Sequence, residues 1–266
     1  MSELSKRVWV SVFFIPILIA ALFFGRLPLV LMFLMVSALG TMEFYQMMCA
    51  KGLQLPKLLL VLNPSIYLAL VFIRSMDMSL IWVGFLLLGI SSLIRWKQHE
   101  ELSGSFVSFW AMLYVGVIPA LIARIGLDYP KDFILLVMVL MIWIVDSAAY
   151  FIGMSLGRHR NLTAVSPKKS LEGFIAGVLA PALIVFIMYI SGFRLLSLTQ
   201  LILVAVAAGV VGQLGDLLES MVKRHTGVKD SSNLIPGHGG VLDRTDSILL
   251  AGSFLYCALQ VLEKVR

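Results

Sequence analysis

Charge is what this chain has least of. Asp, Glu, Lys and Arg make up 14% of 266 residues, against about 25% in an ordinary soluble domain. With 60% hydrophobic residues and a mean hydropathy of +0.97, this excludes a soluble globular enzyme and a disordered chain. Cysteine is also scarce. Cys49 and Cys257 are the only two, both in apolar contexts and without CxxC spacing, so there is no disulfide framework. Both read as small core residues. Spare length is lacking too. A membrane helix takes about 20 residues, so nine would use about 180 and leave about 86 for loops and ends. That is too little for a separate domain of ordinary size.

What is present is a series of apolar runs, at about 8–24, 27–47, 58–73, 78–94, 105–125, 132–153, 173–191, 198–218 and 247–262. The fold class expected is all-α, a polytopic membrane protein of about nine transmembrane helices. It forms a single catalytic domain over 1–266, with generic helices in 1–125 and the motifs in 132–266. Asn63-Pro64 interrupts the third run, which a membrane helix tolerates when neighbours satisfy the freed backbone. Lys6 and Arg7 precede the first run, which is long for a cleaved signal peptide and lacks a clear A-x-A site, so a retained helix is expected.

The net charge is +6. In a soluble protein this would suggest nucleic acid. In a membrane protein it reads as loop bias and anionic headgroups, and no nucleic-acid partner is expected. With nine spans, 14 Lys and Arg fall on the N-terminal side and 7 on the other. The positive-inside rule makes the former cytoplasmic. Eight of the 14 sit in two loops on that side, at about 155–172 and 219–246.

Carboxylates within spans need a reason, since each costs about 2.5–3.5 kcal/mol at a helix centre. Glu43, Asp146, Asp216, Glu219, Asp243 and Asp246 all fall toward the cytoplasmic ends of their helices. They read as one acidic, water-accessible cavity. Asp216 and Glu219 share a helix face and repel unless a cation lies nearby. Asp243-Arg-Thr-Asp246 fits either metal binding or an N-cap with an acid three residues on. Glu43 could instead pair with a lysine or reach the headgroups. Asp146, followed by Ser147 and two alanines, suits a polar cavity. Gly212 and Gly215 mark a thin face for close helix approach.

Two stretches suit phosphate. Ser166-Pro167 reads as N-cap and N1 of the seventh span, placing Lys168 and Lys169 in its first turn. Cations there oppose the helix dipole unless an anion binds, which suits a polyphosphate. The other reading is a lysine pair snorkelling to headgroups. Further on, Pro236-Gly237-His238-Gly239-Gly240 makes tight turns and lets backbone approach a ligand. It lies between Lys223-Arg224 with Lys229-Asp230 and Asp243-Arg244-Thr245-Asp246. Basic residues for phosphate and acids for Mg²⁺ thus come together, and Mg²⁺ is usually held by one or two carboxylates plus substrate phosphates.

The stretch Ser220-Met-Val-Lys223-Arg224, Lys229-Asp230, Ser232, Ile235-Pro236, His238-Gly239-Gly240-Val241, Asp243-Arg244-Thr245-Asp246 resembles the signature of the phosphatidate cytidylyltransferases, or CDP-diacylglycerol synthases. Asp146-Ser-Ala-Ala-Tyr150 with Gly153 and Gly157 also resembles the family, as does Ser166-Pro-Lys-Lys169-Ser170 with Glu172-Gly173. The resemblance implies transfer of CMP from CTP to phosphatidic acid, with Mg²⁺ and a second cation such as K⁺. It further implies a homodimer in the bacterial cytoplasmic membrane. On this reading Asp216, Asp243 and Asp246 hold metal. Lys169, Lys223, Arg224 and Arg244 contact phosphates, and His238 positions the triphosphate or protonates pyrophosphate. Asp146, Ser166, Lys168, Ser170, Lys229, Gly239 and Gly240 complete the substrate site. Asp243→Asn is expected to abolish turnover with folding near intact. The alternatives are a CTP-dependent polyprenol kinase, which would release CDP, and a cation-coupled transporter, which would want acids near the midplane and matched repeats.

Overall fold

The computed structural model describes residues 3–95, 100–129, 133–161, 163–193, 195–235 and 237–265. Lys97, Lys131, Arg194 and Arg266 of the charge count, and Pro236 of the glycine turn, lie outside the described residues. The helices are α1 (Glu3–Phe24), α2 (Arg26–Ala50), α3 (Leu59–Phe72), α4 (Asp77–Ile94), α5 (Glu100–Ala111), α6 (Ile118–Asp128), α7 (Ile134–Ser155), α8 (Leu171–Ile190), α9 (Leu198–Val206), α10 (Gln213–Thr226) and α11 (Leu242–Val265). Among the described residues there is no strand, only three isolated bridges within loops. The chain is an all-α, multi-pass membrane protein.

Among the described residues, seven helices are long and apolar enough to cross a bilayer, against the nine expected. The third expected span is a helix of 14 residues. At 1.5 Å per residue it is about 21 Å long, short of a hydrocarbon core about 30 Å thick. Pro64 lies inside it without breaking it. The described apolar part of α1 is also short, Ile15–Phe24. The cysteines are not core residues: Cys49 is half-buried and Cys257 exposed.

Chain contacts divide the protein into two compact units. One comprises residues 1–127 and 223–245, the other 128–222 and 246–266. The divisions fall inside α10, after Val222, and inside α11, after Thr245.

In the first unit, α5 and α6 are joined by a π-helical turn at Met112–Val117. Such turns release a backbone carbonyl from the regular ladder. Here Val115 O accepts from Ser37 Oγ at 2.6 Å. Asn63 Nδ2 donates to Thr41 Oγ1 at 3.2 Å. A buried polar seam thus ties α2 and α3 to the turn, which accounts for an asparagine inside an apolar run.

Arg124 of α6 is 2% exposed. Its guanidinium makes a two-pronged contact with Asp77, 2.6 Å for each prong. Its Nε donates to Leu70 O at 2.8 Å, near the C-terminal end of α3 where carbonyls lack helical partners. Asp77→Ala takes the two-pronged carboxylate contact from a buried guanidinium and is expected to cost about 3–5 kcal/mol. Arg124→Leu should cost less, because Asp77 is 37% exposed and can be hydrated. Thermal unfolding of the detergent-solubilised variants checks the order, and an equal loss in both would refute it.

In the second unit, a π-helical turn at Ala207–Gly212 separates α9 from α10. Gln213 Nε2 donates to Gly209 O within this segment, and to Phe174 O of α8 at 3.3 Å. Gly153 and Gly173 let α7 and α8 meet closely: a Cβ on Gly173 would lie 2.7 Å from Ala149 O and 3.2 Å from Gly153 Cα. Small residues permit this backbone contact in a membrane.

Candidate active site

The loop between α7 and α8 is folded back on the helix it precedes. Glu172, in the first turn of α8, accepts from the His159 backbone N–H at 3.1 Å and lies 2.6 Å from His159 Nδ1. Leu171 N donates to His159 O at 3.0 Å and Asn161 N to Pro167 O at 3.2 Å. The N-cap of α8 is Ser170, whose hydroxyl accepts from Gly173 N at 3.1 Å. The expected cap, Ser166, lies four residues earlier in a turn, where its carbonyl accepts from Lys169 N at 3.2 Å. Lys168 and Lys169 therefore precede the helix and do not occupy its first turn. Lys168 is exposed.

Lys169 Nζ pairs with Asp216 Oδ2 of α10. Each side chain is 32% exposed, so the pair stays open to solvent. Gly215, beside Asp216, abuts α11: a Cβ there would lie 2.6 Å from Asp246 O and 3.2 Å from Ser247 Cα. Only glycine lets the two backbones meet so closely. Asp216 and Asp246 consequently spring from adjoining backbone. Asp146 is exposed on α7.

The first unit holds a second cluster, built around the loop that precedes α11. Lys223 Nζ lies 2.6 Å from Asp243 Oδ1, and their side chains are 10% and 4% exposed. Asp243 Oδ2 accepts from Ser231 N at 2.7 Å and Gly240 N at 2.7 Å, and lies 2.9 Å from Ser231 Oγ. Asp243 is the second residue of α11, not its cap, and its carboxylate gathers the loop in front of the helix. Gly239 has φ of +81°, and its carbonyl accepts from Ile235 N at 2.8 Å to close a tight turn. Arg244 Nε donates to the His238 carbonyl at 2.9 Å. Arg224, Lys229 and Arg244 are exposed and His238 is half-buried.

Glu43 of α2 enters the same cluster. It neither pairs with a lysine nor reaches toward headgroups. It is 3% exposed and accepts from two serine hydroxyls and two backbone N–H groups of the loop. Sequence reasoning left Glu43 and Ser231 out of the site. Their partners lie about 190 residues away or across a turn, so no spacing could show them.

Among the described residues no three His, Cys, Asp or Glu lie close enough to hold a metal ion together. Asp216 still suits a divalent cation: a hard oxygen donor, partly exposed, with Asp246 on the adjoining helix. Asp243 is engaged by Lys223 at Oδ1 and by the Ser231 and Gly240 amides at Oδ2.

A family model described as Cytidylyltransferase family matches residues 5–262. The chain is 33% identical over 269 residues to a protein of Bacillus subtilis (strain 168) named Phosphatidate cytidylyltransferase, covering 97% of this chain and 98% of that protein. A protein of the same name from Thermotoga maritima is 35% identical over 182 residues, 66% of this chain and 67% of its own length. One from Haemophilus influenzae is 45% identical over 130 residues, 47% and 45% of the two chains.

Proposed function

The chain belongs to the cytidylyltransferase family, and from that premise we propose that it transfers the cytidylyl group of CTP to phosphatidate. The products are CDP-diacylglycerol and pyrophosphate. The observation that carries this reading is the near full-length similarity to the Bacillus protein of that name. The multi-pass fold agrees with a substrate anchored in the bilayer.

A phosphate oxygen of phosphatidate attacks the α-phosphorus of CTP. The bond from that phosphorus to the bridging oxygen breaks, and pyrophosphate leaves. The nucleophile is already an anion, so the work is to bring anions together and stabilise the leaving charge. Lys169 and Lys223 already stand against carboxylates and can turn to phosphates as these arrive. Exposed Arg224 and Arg244 suit bidentate phosphate contact, and exposed Lys168 and Lys229 add point charges. His238, with Gly239 and Gly240, offers a turn whose backbone can approach the triphosphate. Asp146, Ser166 and Ser170 complete the substrate-binding set carried by the resemblance.

Asp216 and Asp246 would hold Mg²⁺, and the resemblance adds Asp243 to that set. The ion's chemistry when bound is to clamp the triphosphate and offset charge on pyrophosphate. A second cation such as K⁺, a homodimer and residence in the bacterial cytoplasmic membrane belong to the same reading. The N-terminus and the active-site loops then face the cytoplasm, as the asymmetry of Lys and Arg supports.

The test is turnover by the purified protein with CTP and phosphatidate, with and without Mg²⁺. CDP-diacylglycerol and pyrophosphate are expected in equal amounts, and chelation of the metal is expected to stop both. CDP in place of pyrophosphate would replace this reading with a lipid kinase. No nucleotide turnover by folded protein would restore the transporter.

A further inference from the structure

Glu43 is a carboxylate on the buried face of α2, with apolar Phe44 and Met47 beside it in the core. Its Oε1 accepts from Ser232 Oγ at 2.7 Å and Val241 N at 2.8 Å. Its Oε2 accepts from Ser231 Oγ at 2.9 Å and Leu242 N at 3.0 Å. Hydroxyl and peptide dipoles at the N-terminus of α11 offset its charge, as suits an anion at a helix start. One carboxylate therefore fastens both ends of the segment from Ser231 to Leu242. That segment carries His238, Gly239 and Gly240.

The fastening continues to the reaction residues. Ser231 Oγ, 2.9 Å from Glu43, is also 2.9 Å from Asp243 Oδ2. Asp243 in turn holds Lys223. Gly240 is required where the segment passes the carboxylate, since a Cβ there would lie 2.5 Å from both Glu43 oxygens and closer still to Ser231 Oγ. We propose that Glu43 is the positioning residue of this loop: through Ser231 and the Val241 and Leu242 amides it sets where Asp243, Lys223 and the His-Gly-Gly turn stand when CTP binds. It touches no substrate itself. The proposal rests on the cytidylyltransferase reading for its effect on rate, but not for its effect on the loop.

Glu43→Gln keeps the size but turns an NH₂ toward donors, so at least one of the four contacts is lost. Loss of a group that orients reacting residues typically costs 10–100-fold. The expected result is a fall in kcat of about that size with KM for CTP little changed. Hydrogen exchange at Val241 and Leu242 should quicken, while exchange in α7 and α8 stays as in the parent. Ser232→Ala should give a smaller effect of the same kind, and adding it to Glu43→Gln should cost little more, since both remove one contact.

Unchanged exchange at 241–242 in Glu43→Gln, or a kcat equal to the parent's, would overturn the proposal. Should that variant fail to fold, Ser232→Ala decides it by the same exchange readout. A parent protein that makes no CDP-diacylglycerol would overturn the reaction assignment instead, and the exchange comparison would still judge Glu43.

Discussion

Asp216→Asn lowers kcat by about 10²–10³-fold, the scale of losing one preorganised group that stabilises developing charge, and barely moves the thermal midpoint. The two halves of that expectation come from the same geometry. Asp216 and Lys169 are each about one-third exposed, and an ion pair so open to water contributes about 0–1 kcal/mol to stability. Asparagine keeps the shape and one oxygen but removes the negative charge. A carboxylate that merely braced α8 against α10 would show a small loss in both readouts. One that holds a cation against the triphosphate loses rate alone. Lys169→Ala should show the same pattern, and the double variant should fall little below the worse single, because the two act on one phosphate cluster. Measured kcat and thermal midpoint in detergent decide the matter. A midpoint that falls while the rate holds would remove Asp216 from the reaction.

What the sequence discloses and what it hides divide along a physical line. The long spans are legible because bilayer thickness demands about 20 apolar residues in a row. All nine expected apolar runs overlap described helices, eight of them with ends that differ by only a few residues, while the remaining run continues through α10 in polar sequence to Thr226. The start of α8 was misplaced because Ser166-Pro167 fits the cap-and-first-residue pattern as well as Ser170-Leu171 does. The choice is made by Glu172 and His159 folding the loop back, a contact across 13 residues. Asp216 and Lys169 were both legible as chemistry, but not as partners 47 residues apart. Glu43 was visible only as a misplaced charge. Its four donors come from residues 188 to 199 positions away, where local pattern carries no information.

Asp243→Asn, in contrast, is expected to lose both turnover and stability, which departs from what spacing alone suggests for a metal-binding aspartate. Lys223 and Asp243 are 10% and 4% exposed. Removing one partner breaks a buried ion pair, at a cost of about 3–5 kcal/mol. Asparagine also offers one acceptor oxygen where Lys223 and two amides converge, so its NH₂ must face either the ammonium or the Ser231 and Gly240 amides. Inactivity of this single variant cannot distinguish a reacting group from a structural one. The pair Asp243→Asn with Lys223→Met can. It removes both charges from a nearly dry pocket, and neutral replacement of a buried ion pair is often harmless to stability. The double variant should therefore recover much of the thermal midpoint lost by Asp243→Asn while remaining inactive, since neither the phosphate-seeking ammonium nor the carboxylate survives. Recovery of turnover along with the midpoint would show that the pair only holds the loop, and would leave Asp216, Asp246 and Lys169 to carry the reaction.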